Sequence, residues 1–339
     1  MAILNPCFEE LISAIEPDKE IKEYAQEAHA PVRDYLKQDP DFKDFFINSF
    51  LYGSYKRSTA VGDIEDIDIA VITNFDPNDQ SHTPSEVLRR LKKALNNYYE
   101  IEDNTEYQRK SIKVKDALPE NQETEISLDV IPAIAPNGED DVLLVPDREL
   151  RKWVSSHPKA HLDYATNLNK ENNSGGRYIP LVKLMKWWWK YQSEQTWPQK
   201  KHKPKGFWVE CLTGLCFDPS KEDWAEHFIF VLENILAKYG DYSMVPDLPD
   251  PGLSGSSIKT SMTAKEYQEF IEIVESNLRE ARRAYADTNK LTSSVLWQKV
   301  FGKNFPLAED DVEPFVNVPV PSRPGPLAPP LPPRPREVG

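Results

Sequence analysis

Asp66 and Asp68 carry the first chemical signal in the sequence. They sit in DIDIAV (66–71), where charged and apolar residues alternate as in a half-buried strand. Side chains two apart on a strand share a face, roughly 7 Å apart along it. Ile67, Ile69 and Val71 can therefore enter a core while both carboxylates project from the other face. Two like charges fixed side by side repel unless something compensates. Hard carboxylate oxygens suit Mg²⁺, which takes one or two protein carboxylates and completes its shell with phosphates and water. A later apolar run, ISLDVIPA (126–133), holds Asp129 as its charged residue. If the two strands pair, three carboxylates on one sheet face can hold two Mg²⁺ ions. Such a pair clamps the attacking and leaving oxygens of an in-line phosphoryl displacement.

Upstream, Gly53-Ser54 closes an aromatic and β-branched run, FFINSFLY (45–52). A Gly-Ser turn lets backbone amides approach an anion closely, and the hydroxyl adds a contact. It suits a triphosphate held beside metal ions. Lys183 and Lys186 in VKLMKWWW lie three apart on one helical face and offer the compensating charge. Each of these signals is weak alone. Their order is far more specific: GS, about a dozen residues, DID in an apolar strand, then one Asp in a later apolar strand.

The elements that must position these residues read as follows. Residues 8–38 carry helical spacing (Ile21, Ala25, Ala28, Val32, Leu36), with Pro31 expected to kink or split the helix. Strands are expected at 45–52, 66–73, 111–115 and 124–131, and an amphipathic helix at 84–98. From about residue 151 the texture becomes helical, at 179–193, 207–217, 223–238 and 263–288. The spacing predicts an α+β protein. Its parts are an N-terminal helix and mixed sheet core over 1–150, a helical lobe over 151–305 and a Pro-rich tail over 306–339.

The ordered motifs resemble the nucleotidyltransferase superfamily that includes polymerase beta. GSYKRSTAV, DIDIAV, LDVIPA, the Lys-x-x-Lys-Trp helix and the helix bearing Glu210 together resemble the bacterial cGAS/DncV-like nucleotidyltransferases, the cyclases of anti-phage (CBASS) signalling. The resemblance covers roughly residues 45–217. It implies a polymerase beta-like sheet lobe with a helical C-terminal lobe. It also implies that Asp66, Asp68 and Asp129 bind two Mg²⁺ ions, and that Asp129 helps activate the acceptor hydroxyl. Gly53 and Ser54 would hold the donor triphosphate, Lys186 with Lys183 would neutralise it, and Thr59 would support the turn. Many relatives place a serine before the helix that carries the glutamate; here Gly206 stands in Pro204-Lys205-Gly206-Phe207-Trp208-Val209-Glu210, leaving backbone contacts or Lys205 as substitutes. Glu210 itself reads as structural. The implied reaction joins nucleoside triphosphates, ATP or GTP, into a cyclic di- or trinucleotide that acts on an effector protein. Two other readings stand beside it: a nucleotidyltransferase that modifies RNA ends or proteins, and an inactive scaffold acting through the tail.

Bulk properties bound the choice. The chain has 339 residues and a formal net charge of −14. A protein built to grip long nucleic acid carries the opposite balance. No run of about 18 apolar residues is present, so no membrane span is expected. The start, MAILNPCFEELIS, lacks a basic region and a long apolar stretch, which argues against a secretory signal, and the cysteine usage points to a reducing cytoplasm. Cys7, Cys211 and Cys216 are too few and too loosely spaced for a disulfide framework. Cys211 and Cys216 fall in an apolar helical run that favours core thiols over a metal knuckle. His157 and His161 are four apart, but Pro158 and the lack of a third ligand favour a structural role. No cysteine and histidine cluster suggests the zinc ribbon of the animal DNA sensor. Ten of the last 26 residues are proline, so the tail is expected to be an extended, disordered tether. PPLPPR (329–334) fits a polyproline groove, with a stiff spacer the preferred reading. The resemblance also implies that Gly339 is a candidate conjugation site for a ubiquitin-activating-like partner.

Overall fold

The computed structural model describes residues 3–64, 66–100, 104–117, 125–170, 174–198 and 203–309. PPLPPR, Gly339 and the rest of the tail from residue 310 lie outside the described residues. The alternating segments form two eight-residue strands, β2 (Asp66–Thr73) and β5 (Ser127–Ile134). They pair in parallel along their whole length, from Asp66 opposite Ser127 to Thr73 opposite Ile134. β1 (Phe46–Tyr52) flanks β2 antiparallel. β4 (Ile112–Val114) flanks β5 antiparallel, and β3 (Thr105–Tyr107) closes that edge. The spatial order is β1-β2-β5-β4-β3. β6 (Leu143–Asp147) pairs with the far end of β5 and with β7 (Lys152–Ser156).

One face of this sheet is buried beneath two helices. Ile67, Ile69 and Val71 of β2 join Leu128 and Val130 of β5. Over them lie Ala25, Ala28, Val32 and Leu36 of α2 (Lys19–Leu36) and Val87, Leu88, Leu91 and Leu95 of α4 (Pro84–Tyr99). On the opposite face a small cluster of Ala70, Ile72, Ile131 and Ala133 packs against Leu143 and Val145 of β6. Asp66, Asp68 and Asp129 occupy this second face, on the side where the cluster ends.

The α+β class predicted from sequence holds. The N-terminal region differs in two ways. The helical spacing of 8–38 is broken at Glu16–Asp18, not at Pro31. α1 (Asn5–Ala14) ends there, and Asp18 caps α2 by accepting a hydrogen bond from the Ile21 amide at 2.8 Å. Pro31 lies inside α2. It forfeits one backbone hydrogen bond, but the burial of Ala28, Val32 and Leu36 around it outweighs that loss. Second, α1 does not keep to the sheet lobe with which the sequence groups it. Leu4, Phe8, Leu11, Ile12 and Ile15 are part of the helical core. That core is built from α6 (Tyr178–Thr196), α7 (Gly206–Cys216), α8 (Trp224–Tyr239), α9 (Ala264–Ala286) and α10 (Lys290–Phe301). β6, β7, α5 (Pro158–Asn169) and α10 were not expected from sequence.

Cys211 and Cys216 are buried in this core, where desolvation pushes both thiols up to about 12. His157 bridges the carbonyls of Asp140 and Gly252, and His161 pairs with Asp250 at 2.7 Å. Among the described residues no helix is long and apolar enough to cross a membrane.

Phe8 is 1% exposed and meets the rings of Trp297, Phe301 and Phe305 edge-on at 5.0–5.8 Å. Phe8→Ala should cost about 3–5 kcal/mol, read as a lower midpoint in chemical denaturation. A loss below about 1 kcal/mol would show that α1 is not part of the helical core in solution.

Candidate active site

The pairing register brings the sequence-predicted acids together. Asp68 stands directly opposite Asp129 across the parallel strands. Asp66 lies two residues earlier, on the same face of β2. Continuing the register across the sheet gives one row on that face: Tyr52, Asp68, Asp129, Lys113 and Glu106, each from a different strand. Two carboxylates thus occupy the centre of the row.

Their charge is poorly compensated. Asp68 is pushed up to about 7, first by burial and then by Asp66 and Asp129; Arg57 and Lys205 pull the other way. Asp129 is also raised, mainly by burial and then by Asp66, against the pull of Lys113 and Lys205. Its Oδ1 is buried with no hydrogen-bond partner. Tyr52 is held far above its usual range by burial, then by Asp68, Asp129 and Asp66. A buried carboxylate oxygen without a donor costs on the order of 1–3 kcal/mol or more.

The donor set fits a hard divalent cation. All three groups are carboxylates, one has an orphaned oxygen, and the local charge is in excess. Among the described residues no three His, Cys, Asp or Glu side chains converge closely enough to chelate an ion as they stand. Mg²⁺ does not require such a cage, because substrate phosphates and water supply most of its shell.

Gly53 ties the predicted phosphate turn to this face. It follows β1 and opens a single helical turn, α3 (Gly53–Lys56). Its φ of +74° is a conformation that favours glycine. A Cβ at this position would lie 1.7 Å from Asp68 Oδ2. The carboxylate therefore rests against the glycine backbone, and turn and acid are in direct contact. The Thr59 amide donates to the Ser54 carbonyl at 3.0 Å, which closes the turn as expected.

Lys183 and Lys186 are placed differently from the sequence expectation. Neither lies on a solvated face. Lys186 is 8% exposed and its ammonium donates to Glu210 Oε2 at 2.9 Å and to the Thr59 carbonyl and hydroxyl at 3.1 Å. Lys183 is 7% exposed and pairs with Glu16 at 2.5 Å. The reason is steric cover: α1, the Glu16 loop and residues 57–62 pack over the helix face that carries them. Both charges are thus engaged inside the protein.

Glu210 is the hub of this cover. Arg57 donates to both of its oxygens, at 2.7 and 3.2 Å, and Thr59 Oγ1 donates at 2.9 Å. Arg57 also lies over the Phe207 ring at 4.9 Å. Lys186 and Arg57 hold the Glu210 carboxyl at about 2 against the upward push of burial. Arg57 and Thr59 come from the sheet lobe, Lys186 and Glu210 from the helical lobe. The network therefore fixes the GS turn relative to α7.

Besides Arg57, three residues went unassigned in the sequence reading or were held only as a substitute. Tyr52 and Lys113 enter through register, which a strand pattern alone does not give. Lys205 is exposed at the start of α7, close enough to lower both Asp68 and Asp129. Next to it, a methyl group added at Gly206 would lie 3.5 Å from Lys186 Cε, so the position borders the buried network. Two cavities among the described residues lie elsewhere. One of about 410 Å³ is lined by Arg33, Phe50, Lys56 and Lys159 among others, and one of about 510 Å³ lies along the Glu16 loop.

Residues 1–169 match the Second Messenger Oligonucleotide or Dinucleotide Synthetase domain family. A cyclic AMP-AMP-AMP synthase from an Acinetobacter species is 34% identical over 312 residues, covering 88% of this chain and 84% of that protein. A cyclic AMP-AMP-GMP synthase from Enterobacter hormaechei is 26% identical and covers 90% of this chain and 92% of its own length. In three dimensions, Escherichia coli CdnC is similar with a TM-score of 0.67 at 17% identity, covering 89% of this chain and 98% of that one. It has been solved both with ATP and with a HORMA protein.

Two outcomes test the electrostatics. Between pH 4 and 7 the native protein keeps a proton on Asp68 that the unfolded chain has lost, so Asp68 lowers the stability of the metal-free protein increasingly as pH rises. Asp68→Asn removes this penalty. In magnesium-free buffer its melting temperature should exceed that of the wild type, with a gap that widens from pH 5 to pH 8. His227, drawn down to about 4 by burial, drifts equally in both proteins and cancels. A gap that does not change with pH would sink this account. Glu210→Ala leaves Arg57 and Lys186 buried without their partner and should cost about 3–5 kcal/mol in denaturant unfolding; a neutral result would show the network to be solvated.

Proposed function

The chain belongs to the bacterial cGAS/DncV-like nucleotidyltransferases, and on that premise we propose that it joins ATP into a cyclic trinucleotide second messenger of anti-phage defence. Synthesis of a cyclic oligonucleotide from nucleoside triphosphates is the activity of this family. The choice of ATP and of a three-membered ring rests on the 34% identity to the cyclic AMP-AMP-AMP synthase. The observation that carries the chemistry is the in-register pair Asp68 and Asp129 beside the Gly53 turn.

In this reading Asp66, Asp68 and Asp129 hold two Mg²⁺ ions. When bound, these supply charge compensation on the triphosphate and acidify the attacking hydroxyl. The amides of the turn at Gly53 and the Ser54 hydroxyl hold the donor phosphates. Asp129 orients the acceptor sugar hydroxyl and draws on its proton. The hydroxyl oxygen forms a bond to the α-phosphorus as the bond to pyrophosphate breaks. Repetition of this step, with the last acceptor closing on the first nucleotide, gives the ring. Lys186 supports the turn through Thr59, Lys183 ties the same helix to the Glu16 loop, and Lys205 supplies an exposed cation for the phosphates. Because CdnC binds a HORMA protein, control by a partner protein is part of the proposal.

The test is incubation with radiolabelled nucleoside triphosphates and Mg²⁺, followed by phosphatase. A resistant cyclic product made from ATP alone is expected. Asp66→Ala/Asp68→Ala and Asp129→Ala should each lower its yield by at least about a thousandfold, since they remove the charge stabilisation of the transition state. Labelled RNA or labelled protein in place of the small product would overturn the reading.

A further inference from the structure

The cross-sheet row has a direction. Tyr52 and the Gly53 turn stand at one end of the acid pair, on the β1 side. Lys113 stands at the other end, on β4, opposite Asp129. Cross-strand neighbours have Cβ atoms about 4.5–5.5 Å apart. Lys113 is therefore the cation nearest to Asp129 along the row.

Lys113 is half-buried, and its strand neighbours Ile112 and Val114 point into the core beneath the sheet. That leaves its side chain on the acid face. Two carboxylates could neutralise it, yet neither pairs with it. Glu106, across the strand pair, binds Lys115 at 3.2 Å. Asp129 Oδ1 has no hydrogen-bond partner. Lys113 makes no ion pair or hydrogen bond among the described residues, whereas Lys183 and Lys186 are fully engaged. A half-buried ammonium without a partner leaves an uncompensated charge on this face, and an anionic ligand there would meet it.

We propose that Lys113 binds a phosphate of the acceptor strand, the 5′-phosphate of the nucleotide whose sugar hydroxyl faces Asp129. This rests on the nucleotidyl-transfer reading above, and deepens it. The donor triphosphate is bound on the Gly53 side of the row, so a separate cation beyond Asp129 serves the other substrate. Each round of a cyclising reaction presents an acceptor with a phosphate, whether ATP or a linear intermediate. A single half-exposed lysine suits all of them, because an ammonium recognises phosphate as a point charge with no demand on the base.

The test uses binding, not turnover. With the donor site filled by α,β-methylene ATP in Mg²⁺, the affinities of AMP and adenosine as acceptors are compared by calorimetry for the full chain. In the wild type the 5′-phosphate should tighten binding about tenfold, the size of one charge-assisted contact. Lys113→Gln should erase that preference while leaving adenosine unchanged, and Lys113→Arg should keep most of it. If Lys113→Gln weakens AMP and adenosine equally, the lysine acts only by positioning Asp129 and the proposal is wrong. An unchanged preference in Lys113→Gln overturns it as well. The two readings fail separately: a wild type that makes no cyclic product sinks the proposed function, while normal product with an unaltered AMP preference sinks only the role of Lys113.

Discussion

Eight residues of parallel pairing hold Asp68 opposite Asp129, and most of the molecule answers to that fact. Parallel strands cannot be joined by a tight turn. The chain between β2 and β5 must therefore travel, and it uses the journey to build α4, β3 and β4. α4 covers the apolar face of the sheet, and β4 sets a lysine beside the second carboxylate. The hydrophobic residues that alternate with the acids enforce the arrangement. A slip of one residue would turn Ile67, Ile69, Leu128 and Val130 out to the surface and the aspartates into the core. The like-charge contact is thus maintained by hydrophobic burial on the reverse face, at a cost that the acid face alone could not sustain.

A second buried carboxylate shows the contrasting solution. Glu210 is more deeply buried than the acids of the sheet, yet it is met by two cations and a hydroxyl, and its carboxyl is held at about 2. Asp68 has no such partners and sits at about 7. The same residue chemistry gives a satisfied joint in one place and an unsatisfied, ligand-seeking site in the other. The two are linked through Arg57 and Thr59, which lie only a few residues from the acids along the chain. The rigid joint keeps the strained site in place.

Much of this was legible in the sequence. The alternation in DIDIAVIT set β2 to the residue, and helices such as Pro84–Tyr99 emerged within a residue or two of expectation. The acids and the glycine turn were found because strand period and turn chemistry are local rules. What escaped depends on contacts between distant segments. Lys183 and Lys186 share a helix face, which is visible, but only the fold shows that α1 and the Glu16 loop cover it. Tyr52 and Lys113 join the acids through register, and register between strands far apart in the chain is not encoded in either strand alone. Pro31 misled because local propensity yields to the packing of Ala28, Val32 and Leu36.

The placement of α1 has a consequence for how the molecule is made. Residues 5–14 are synthesised long before their packing partners, which span residues 181–305; Asn5 even accepts a hydrogen bond from the Trp224 amide. The sheet lobe can close on itself long before then, since its own core ends with β7. The first helix must wait, its apolar side exposed, until the last helices are synthesised. Such long-range closure is slow to form. It also means that Glu210 meets Arg57 only late, so an interrupted or clipped chain carries the acids and the glycine turn without the joint that aligns them. Synthesis through α10 is thereby a condition for the assembled joint.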